Sequence, residues 1–210
     1  MTPRAVVSDF GGVLTSPLMN FFAAFQDSSG VPLEALGKAM AAIAVSEGAH
    51  PLFELEKGAL TEERFVALLE NAVSAELGRE VHLRGLADSY WSELDTNDPM
   101  LDYLRSVRSR GYRLALLTNN VREWEPRWRA MVPVDELFEV VVDSAFVGMR
   151  KPDPEIYELT LERLGLTGPE CVFVDDIEIN CTTAASLGMH PVWFRTTEQA
   201  IADIEAALAS

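Results

Sequence analysis

The stretch RAVVSDFGG, residues 4–12, decides how the rest of the chain is read. Residues 4–8 form a short, largely apolar run, the length of one strand buried on both faces. The run ends on a carboxylate, Asp9, and Gly11–Gly12 follows as a turn signal. Four more runs of this kind come later: 112–117 (YRLALL), 138–142 (FEVVV), 171–175 (CVFVD) and 190–194 (HPVWF). They are near-continuous rather than alternating, which is the pattern of a parallel sheet covered on both faces. Helical segments separate them at 98–110, 121–131, 154–165 and 178–188, with a last helix at 197–209. Asp98-Pro99 and Asp153-Pro154 are helix starts, and Gly111 is a helix stop. Strand and helix alternate, so the expected class is α/β with right-handed crossovers.

Between the first strand and the second the pattern changes. Residues 16–95 hold no convincing strand and read as helices at about 17–28, 32–46, 61–77 and 82–93. Thr61, Arg64 and the apolar set Phe65, Leu68, Leu69 and Val73 mark a clear amphipathic helix. So long an interval is no simple crossover. We expect an α/β core from 1–15 and 96–210, with a helical cap, 16–95, inserted after the first strand. Ligands of open α/β sheets bind at the carboxyl ends of the strands, so a cap inserted there covers the site.

The composition excludes several classes. With 17 basic and 33 acidic residues the net charge is −16, which repels a nucleic-acid phosphate backbone. A small phosphorylated substrate stays open, because a metal and a few basic groups in a cleft override the global field. The apolar runs are strand-sized, too short to span a membrane. The N-terminal run is too short for a secretory signal, and the expected compartment is the cytoplasm. Cys171 and Cys181 read as buried thiols rather than a disulfide or metal pair. His50, His82 and His190 form no metal-spaced cluster and read as surface or satisfied core residues. Trp91, Trp124, Trp128 and Trp193 read as packing residues, with Trp124 and Trp128 on one helix stripe. Phe21, Phe22, Phe25 and Phe53 read as core rather than pocket. Oligomeric state is not legible.

The polar residues at the strand ends suit one chemistry. Asp9 to Thr15 follow the first strand and Thr118-Asn119-Asn120 the second. Gly148 to Pro152, with Lys151, follow the third, and Asp175-Asp176 with Asn180 follow the fourth. Singly, each is an ordinary cap or loop residue. On one sheet edge they converge. Three carboxylates, Asp9, Asp175 and Asp176, repel unless a hard cation joins them, and Mg²⁺ prefers carboxylate oxygens, waters and phosphate. Lys151 adds a second positive charge. Thr118 offers a hydroxyl, and the amides at 118–120 precede a helix, a favourable place for phosphate oxygens. Phosphoryl transfer needs positioning and charge neutralisation above all, and an Asp carboxylate can be the covalent nucleophile.

With these residues assembled, the chain resembles the haloacid dehalogenase-like hydrolase superfamily over nearly its whole length. DFGGVLT at 9–15, LLTNN at 116–120, GMRKPDPEIY at 148–157 and VDDIEIN at 174–180 are similar to its four motifs. LEKGALTEERF at 55–65 is similar to a segment of the family's helical cap. The resemblance implies a Rossmann-like parallel sheet with a helical cap and a Mg²⁺-dependent phosphatase of a small metabolite, a sugar phosphate among the candidates. It implies Asp9 as nucleophile and metal ligand, the Gly11 carbonyl and Asp176 as further ligands, and Asp175 orienting metal waters or Lys151. Thr118 and Lys151 then hold the phosphoryl group, Asn119 adds a hydrogen bond, and Asn180 braces the metal loop. One position departs: family phosphatases commonly read Asp-x-Asp, and the second Asp, the general acid and base, is Gly11 here. Its loss typically costs ~10²–10⁴-fold. Glu54, Glu56 and Thr15 are candidate substitutes, with both glutamates expected on a solvated helix end instead. The alternatives are a metal-independent dehalogenase and a binding module on an inactivated scaffold.

Overall fold

The computed structural model describes residues 2–16, 26, 29–83, 86–92 and 94–210. All five expected strands form: β1 (Ala5–Ser8), β2 (Arg113–Thr118), β3 (Val140–Asp143), β4 (Cys171–Asp175) and β5 (His190–Trp193). They make one parallel sheet in the order β3-β2-β1-β4-β5. β1 is central, with Val6 opposite Leu114 on one side and Val172 on the other. Since every pair is parallel, all five carboxyl ends share one edge.

The near-continuous apolar strands are explained by cover on both faces. Alternate residues Val6, Leu114, Leu116, Val172 and Val192 face one layer, with Met100, Leu104, Trp128 and Ile204 from the helices packed there. Their neighbours Val7, Ala115, Leu117 and Phe173 face the other, with Ile156, Tyr157, Leu164 and Ala184. Cys171 and Cys181 lie buried and unbridged in this second layer, as expected.

Among the described residues the helices are α1 (Leu33–Glu47), α2 (Pro51–Glu56), α3 (Glu62–Leu77), α4 (Leu86–Ser92), α5 (Asp98–Ser109), α6 (Glu125–Met131), α7 (Pro154–Leu164), α8 (Glu178–Ser186) and α9 (Thr197–Leu208). Two single turns, Val134–Leu137 and Ser144–Val147, are also helical. The helix expected at 17–28 lies, but for Gln26, outside the described residues, as do Phe21, Phe22 and Phe25. None of the described helices is long and apolar enough to cross a membrane. Thr61 caps α3 by accepting from the Arg64 amide at 3.3 Å, and Phe65, Leu69 and Val73 form its buried stripe. These join Leu36, Ile43 and Leu55 in a third cluster distinct from the two that flank the sheet.

The helical stretch leaves and rejoins the sheet at one point. Thr15 and Thr96 form an isolated antiparallel bridge, and the Ser16 amide donates to the Asp95 carbonyl at 2.8 Å. Three local readings need correction. The short helix α2 was not expected, because one and a half turns leave little periodicity. The segment 121–131 is not one helix. A 3₁₀ turn, Arg122–Trp124, precedes α6, because Pro126 is tolerated only in the first turn of a helix. Trp124 and Trp128 therefore share no stripe: Trp124 packs on the helical cluster and Trp128 on the sheet. Phe53 is not core either. It is 40 % exposed and lies under the Arg150 guanidinium at 4.0 Å.

Candidate active site

Asp9 follows β1, whose carboxyl end is held between β2 and β4, and its amide donates to the Val174 carbonyl at 2.9 Å. Lys151 enters from the loop after β3 and is 1 % exposed. Its Nζ lies 2.8 Å from Asp9 Oδ1 and 2.6 Å from Asp175 Oδ2. Asp175, fully buried, is gripped further: Asn180 Nδ2 donates to its two oxygens at 2.9 and 3.1 Å, and the Ile177 amide to Oδ1 at 2.8 Å. Tyr157 steadies Asn180 in turn, its hydroxyl donating to the Asn180 carbonyl at 3.1 Å. Asp176 stands beside them, and one oxygen each from Asp9, Asp175 and Asp176 lie within 4.8 Å of one another.

The electrostatics follow from this crowding. Burial, reinforced by Asp175 and Asp176, pushes the Asp9 carboxyl up in spite of Lys151. Burial and then Asp175 raise Asp176 to about 6. Burial alone would pull the Lys151 ammonium down, but Asp175 and Asp9 hold it above its ordinary value. With all three carboxylates ionised against one ammonium the excess is two negative charges, which burial and mutual repulsion oppose and one divalent cation would neutralise. The donor set, carboxylate oxygens alone, is that of a hard cation such as Mg²⁺ rather than a thiolate or imidazole metal. Gly12, with φ 72°, keeps the site open: a Cβ there would fall 2.1 Å from Asp176 Oδ2. At Gly11 a Cβ would meet nothing within 4 Å.

Thr118, at the end of β2, is buried, and its hydroxyl makes only a long contact of 3.4 Å to the Asn119 carbonyl. Asn119 is committed to the lysine loop. Its Oδ1 accepts from the Lys151 amide at 2.8 Å and its Nδ2 donates to the Lys151 carbonyl at 2.9 Å. That bracket fixes where the Lys151 side chain starts.

Glu56 is not on a solvated helix end. It sits at the end of α2 with its Oε2 2.6 Å from Arg150 Nε, and burial raises its carboxyl against the pull of Arg150. Its carbonyl accepts from the Ser144 hydroxyl at 2.6 Å, so the helical stretch docks on the carboxyl end of β3. Glu54 pairs with Lys57 at 2.5 Å, and the Thr15 hydroxyl donates to the Ser16 carbonyl at 3.3 Å. The His50 ring stacks on Phe53 at 4.3 Å with its Nδ1 buried and unbonded, which departs from a satisfied histidine. Sequence reasoning missed Arg150 and Trp193. Arg150 joins the lysine loop to α2, and Trp193 Nε1 donates to the Asp176 carbonyl at 3.0 Å, holding the loop that carries it. Arg150 stands next to Lys151 in the third motif, a signal that was available; for Trp193 there was none.

A cavity of about 190 Å³ opens beside the cluster, between the ends of β1 and β2 and the helices α1, α2 and α3. Gly11, Thr118 and Asn119 line it on the sheet side.

Known proteins are similar to this chain in sequence and fold. The chain is 32 % identical over 209 residues to acyl-CoA dehydrogenase family member 10 of Mus musculus, covering 98 % of this chain and 19 % of that protein. It is 35 % identical over 92 residues to the glyceraldehyde 3-phosphate phosphatase of Pyrococcus abyssi, covering 42 % of this chain and 38 % of the enzyme. The chain thus spans well under half the length of either curated relative. Its fold matches a HAD-family enzyme from Bacteroides thetaiotaomicron, solved in complex with magnesium and inorganic phosphate, with a TM-score of 0.66 at 24 % identity over 93 % of this chain and 96 % of that one. The family model of haloacid dehalogenase-like hydrolases matches residues 3–188. By its sheet, its strand-end carboxylates and this match, the chain belongs to the haloacid dehalogenase-like hydrolase family.

Proposed function

We propose that this hydrolase is a Mg²⁺-dependent phosphatase of small phosphomonoesters. The observation that carries the reading is the buried cluster in which Lys151 bridges Asp9 and Asp175 with Asp176 beside them. A dehalogenase has no use for that excess of negative charge, whereas a phosphatase offsets it with a cation that also ligates the substrate's phosphoryl oxygens. Two similar proteins lean the same way: the Pyrococcus abyssi relative is a glyceraldehyde 3-phosphate phosphatase, and the Bacteroides thetaiotaomicron enzyme is solved with magnesium and inorganic phosphate.

Asp9, the Gly11 carbonyl and Asp176 are the proposed metal ligands, with Asp175 positioning Lys151. Bound there, Mg²⁺ supplies charge neutralisation for the carboxylates and for the phosphoryl oxygens. An Asp9 carboxylate oxygen attacks phosphorus, the bond from phosphorus to the ester oxygen breaks, and the ester oxygen leaves as an alkoxide with the electron pair. Gly11 has no proton to give, so the leaving oxygen takes its proton from water. Water then attacks the aspartyl phosphate at phosphorus, releasing phosphate and restoring the Asp9 carboxylate. Thr118 and Lys151 hold the phosphoryl group throughout. Asn119 acts as a positioning residue through its two hydrogen bonds to Lys151. The stretch 16–95 serves as a cap over the strand ends, a role its exit and return at Thr15 and Thr96 support. The unbridged cysteines suit a reducing compartment, and we place the protein in the cytoplasm.

The test is phosphate release from a phosphomonoester panel with and without Mg²⁺. We expect turnover that needs Mg²⁺ and is lost in Asp9→Asn. Turnover retained in Asp9→Asn, or halide release indifferent to a chelator, would sink the reading.

A further inference from the structure

The cavity beside the cluster is lined by Gly11 and Thr118 on the sheet side, so it receives whatever is attached to a phosphoryl group held there. Its helical side is apolar: Met40, Leu52, Leu55, Phe65, Val66 and Trp124 are among the described lining residues. The polar side chains around it are mostly committed. Glu56 is bound by Arg150, the Asn119 amide by the Lys151 backbone, and Asn120 Oδ1 by the Val121 amide at 2.9 Å. Among the described lining residues, the buried side-chain polar atom without a hydrogen bond is Trp124 Nε1. Glu56 and Glu62 place carboxylates at the lining, which repel a second anionic group on a substrate.

A sugar's several hydroxyls would find few partners in this space, Trp124 Nε1 and the Glu62 carboxylate among them, and each desolvated hydroxyl left unbonded is costly. An apolar group gains there by leaving water. The size is also informative: an engineered apolar cavity of about 150 Å³ takes up benzene. We propose that the substrate is the phosphate monoester of an uncharged, apolar alcohol, its body an aromatic ring or a short branched alkyl chain rather than a polyhydroxylated sugar. This proposal rests on the phosphatase reading and replaces the sugar phosphate of the sequence analysis.

Two readouts test it. The first is kcat/KM with Mg²⁺ for benzyl phosphate against glycerol 3-phosphate, two alkyl esters with comparable leaving groups. The second is binding of 2-phenylethylphosphonate against 2-hydroxyethylphosphonate, followed by tryptophan fluorescence, which needs no turnover. We expect at least a tenfold preference for the aromatic member in both, narrowed by threefold or more in Met40→Gln and in Val66→Thr. Equal or reversed preference in binding overturns the proposal. Absence of turnover on every ester with the binding preference intact rejects the phosphatase reading and leaves the apolar site standing. A preference that neither variant narrows places the apolar group elsewhere and also overturns it.

Discussion

At the scale of single residues, two adjacent glycines have opposite consequences. Gly12 is confined by Asp176, because a Cβ at that position would overlap its carboxylate. Gly11 is unconfined: it has open space around a would-be Cβ and no left-handed φ, so a side chain fits without backbone strain. The missing acid at this position is therefore a chemical change rather than a structural one. Gly11→Asp should place a proton donor beside Asp9, the proposed nucleophile. Where the leaving group is a poor one, as in benzyl phosphate, we expect kcat to rise by roughly 10²-fold. With p-nitrophenyl phosphate, whose leaving group needs no proton, the gain should be under threefold. An equal gain on both esters would show that the new carboxylate acts by some route other than proton transfer. Asn119 shows how a residue's part is set by its partners: expected on the substrate, it has its amide oxygen and nitrogen turned to the Lys151 backbone.

At the scale of elements, the contact between α2 and the lysine loop joins the helical layer to the sheet edge. Glu56 and Arg150 form its ion pair, with side chains 17 % and 15 % exposed, and Phe53 lies under the guanidinium. Gly58, just past α2, permits the approach: a Cβ there would sit 2.3 Å from the Ala145 carbonyl oxygen, at a φ of 66°. The Glu56 carboxyl is raised by burial and lowered by Arg150. A carboxyl whose folded pKa is raised has its stability contribution intact below the unfolded value and loses it as pH rises through the folded one. Arg150→Met removes the lowering partner and raises that pKa further. The variant should therefore lose more stability at pH 7.5 than at pH 5, by on the order of 1–2 kcal/mol for a pair that keeps some solvent. Thermal unfolding at the two pH values checks this. An equal loss at both would assign the effect to the stacking on Phe53, which carries no pH dependence.

At the scale of the whole molecule, a net charge of −16 means that any salt stabilises the fold by screening repulsion. A specific cation site must show above that background. MgCl₂ should raise the melting temperature beyond NaCl of equal ionic strength, and by linkage a site at 100 times its Kd adds about 2.7 kcal/mol. Asp176→Asn should remove the excess and leave the screening. If both salts act alike on the unsubstituted protein, the three carboxylates hold no ion. The sequence by itself determined the class, the five strands and the edge on which the polar strand-end residues gather. Near-continuous apolar runs have one economical use, a parallel sheet covered on both faces, and parallel strands bring Asp9, Thr118 and Asp175 to one edge in any such sheet. Asp176 was legible with them because it follows the end of β4 directly, and Lys151 because the motif GMRKPDP marks it in the loop after β3. Only the tertiary structure decided the brace of Trp193 on the Asp176 loop, the pairing of Glu56 with Arg150 and the apolar walls of the cavity. Each of these joins segments far apart in the chain, or depends on which face of a helix turns toward the sheet. Local spacing records where a side chain sits along the chain, not what it meets across the fold.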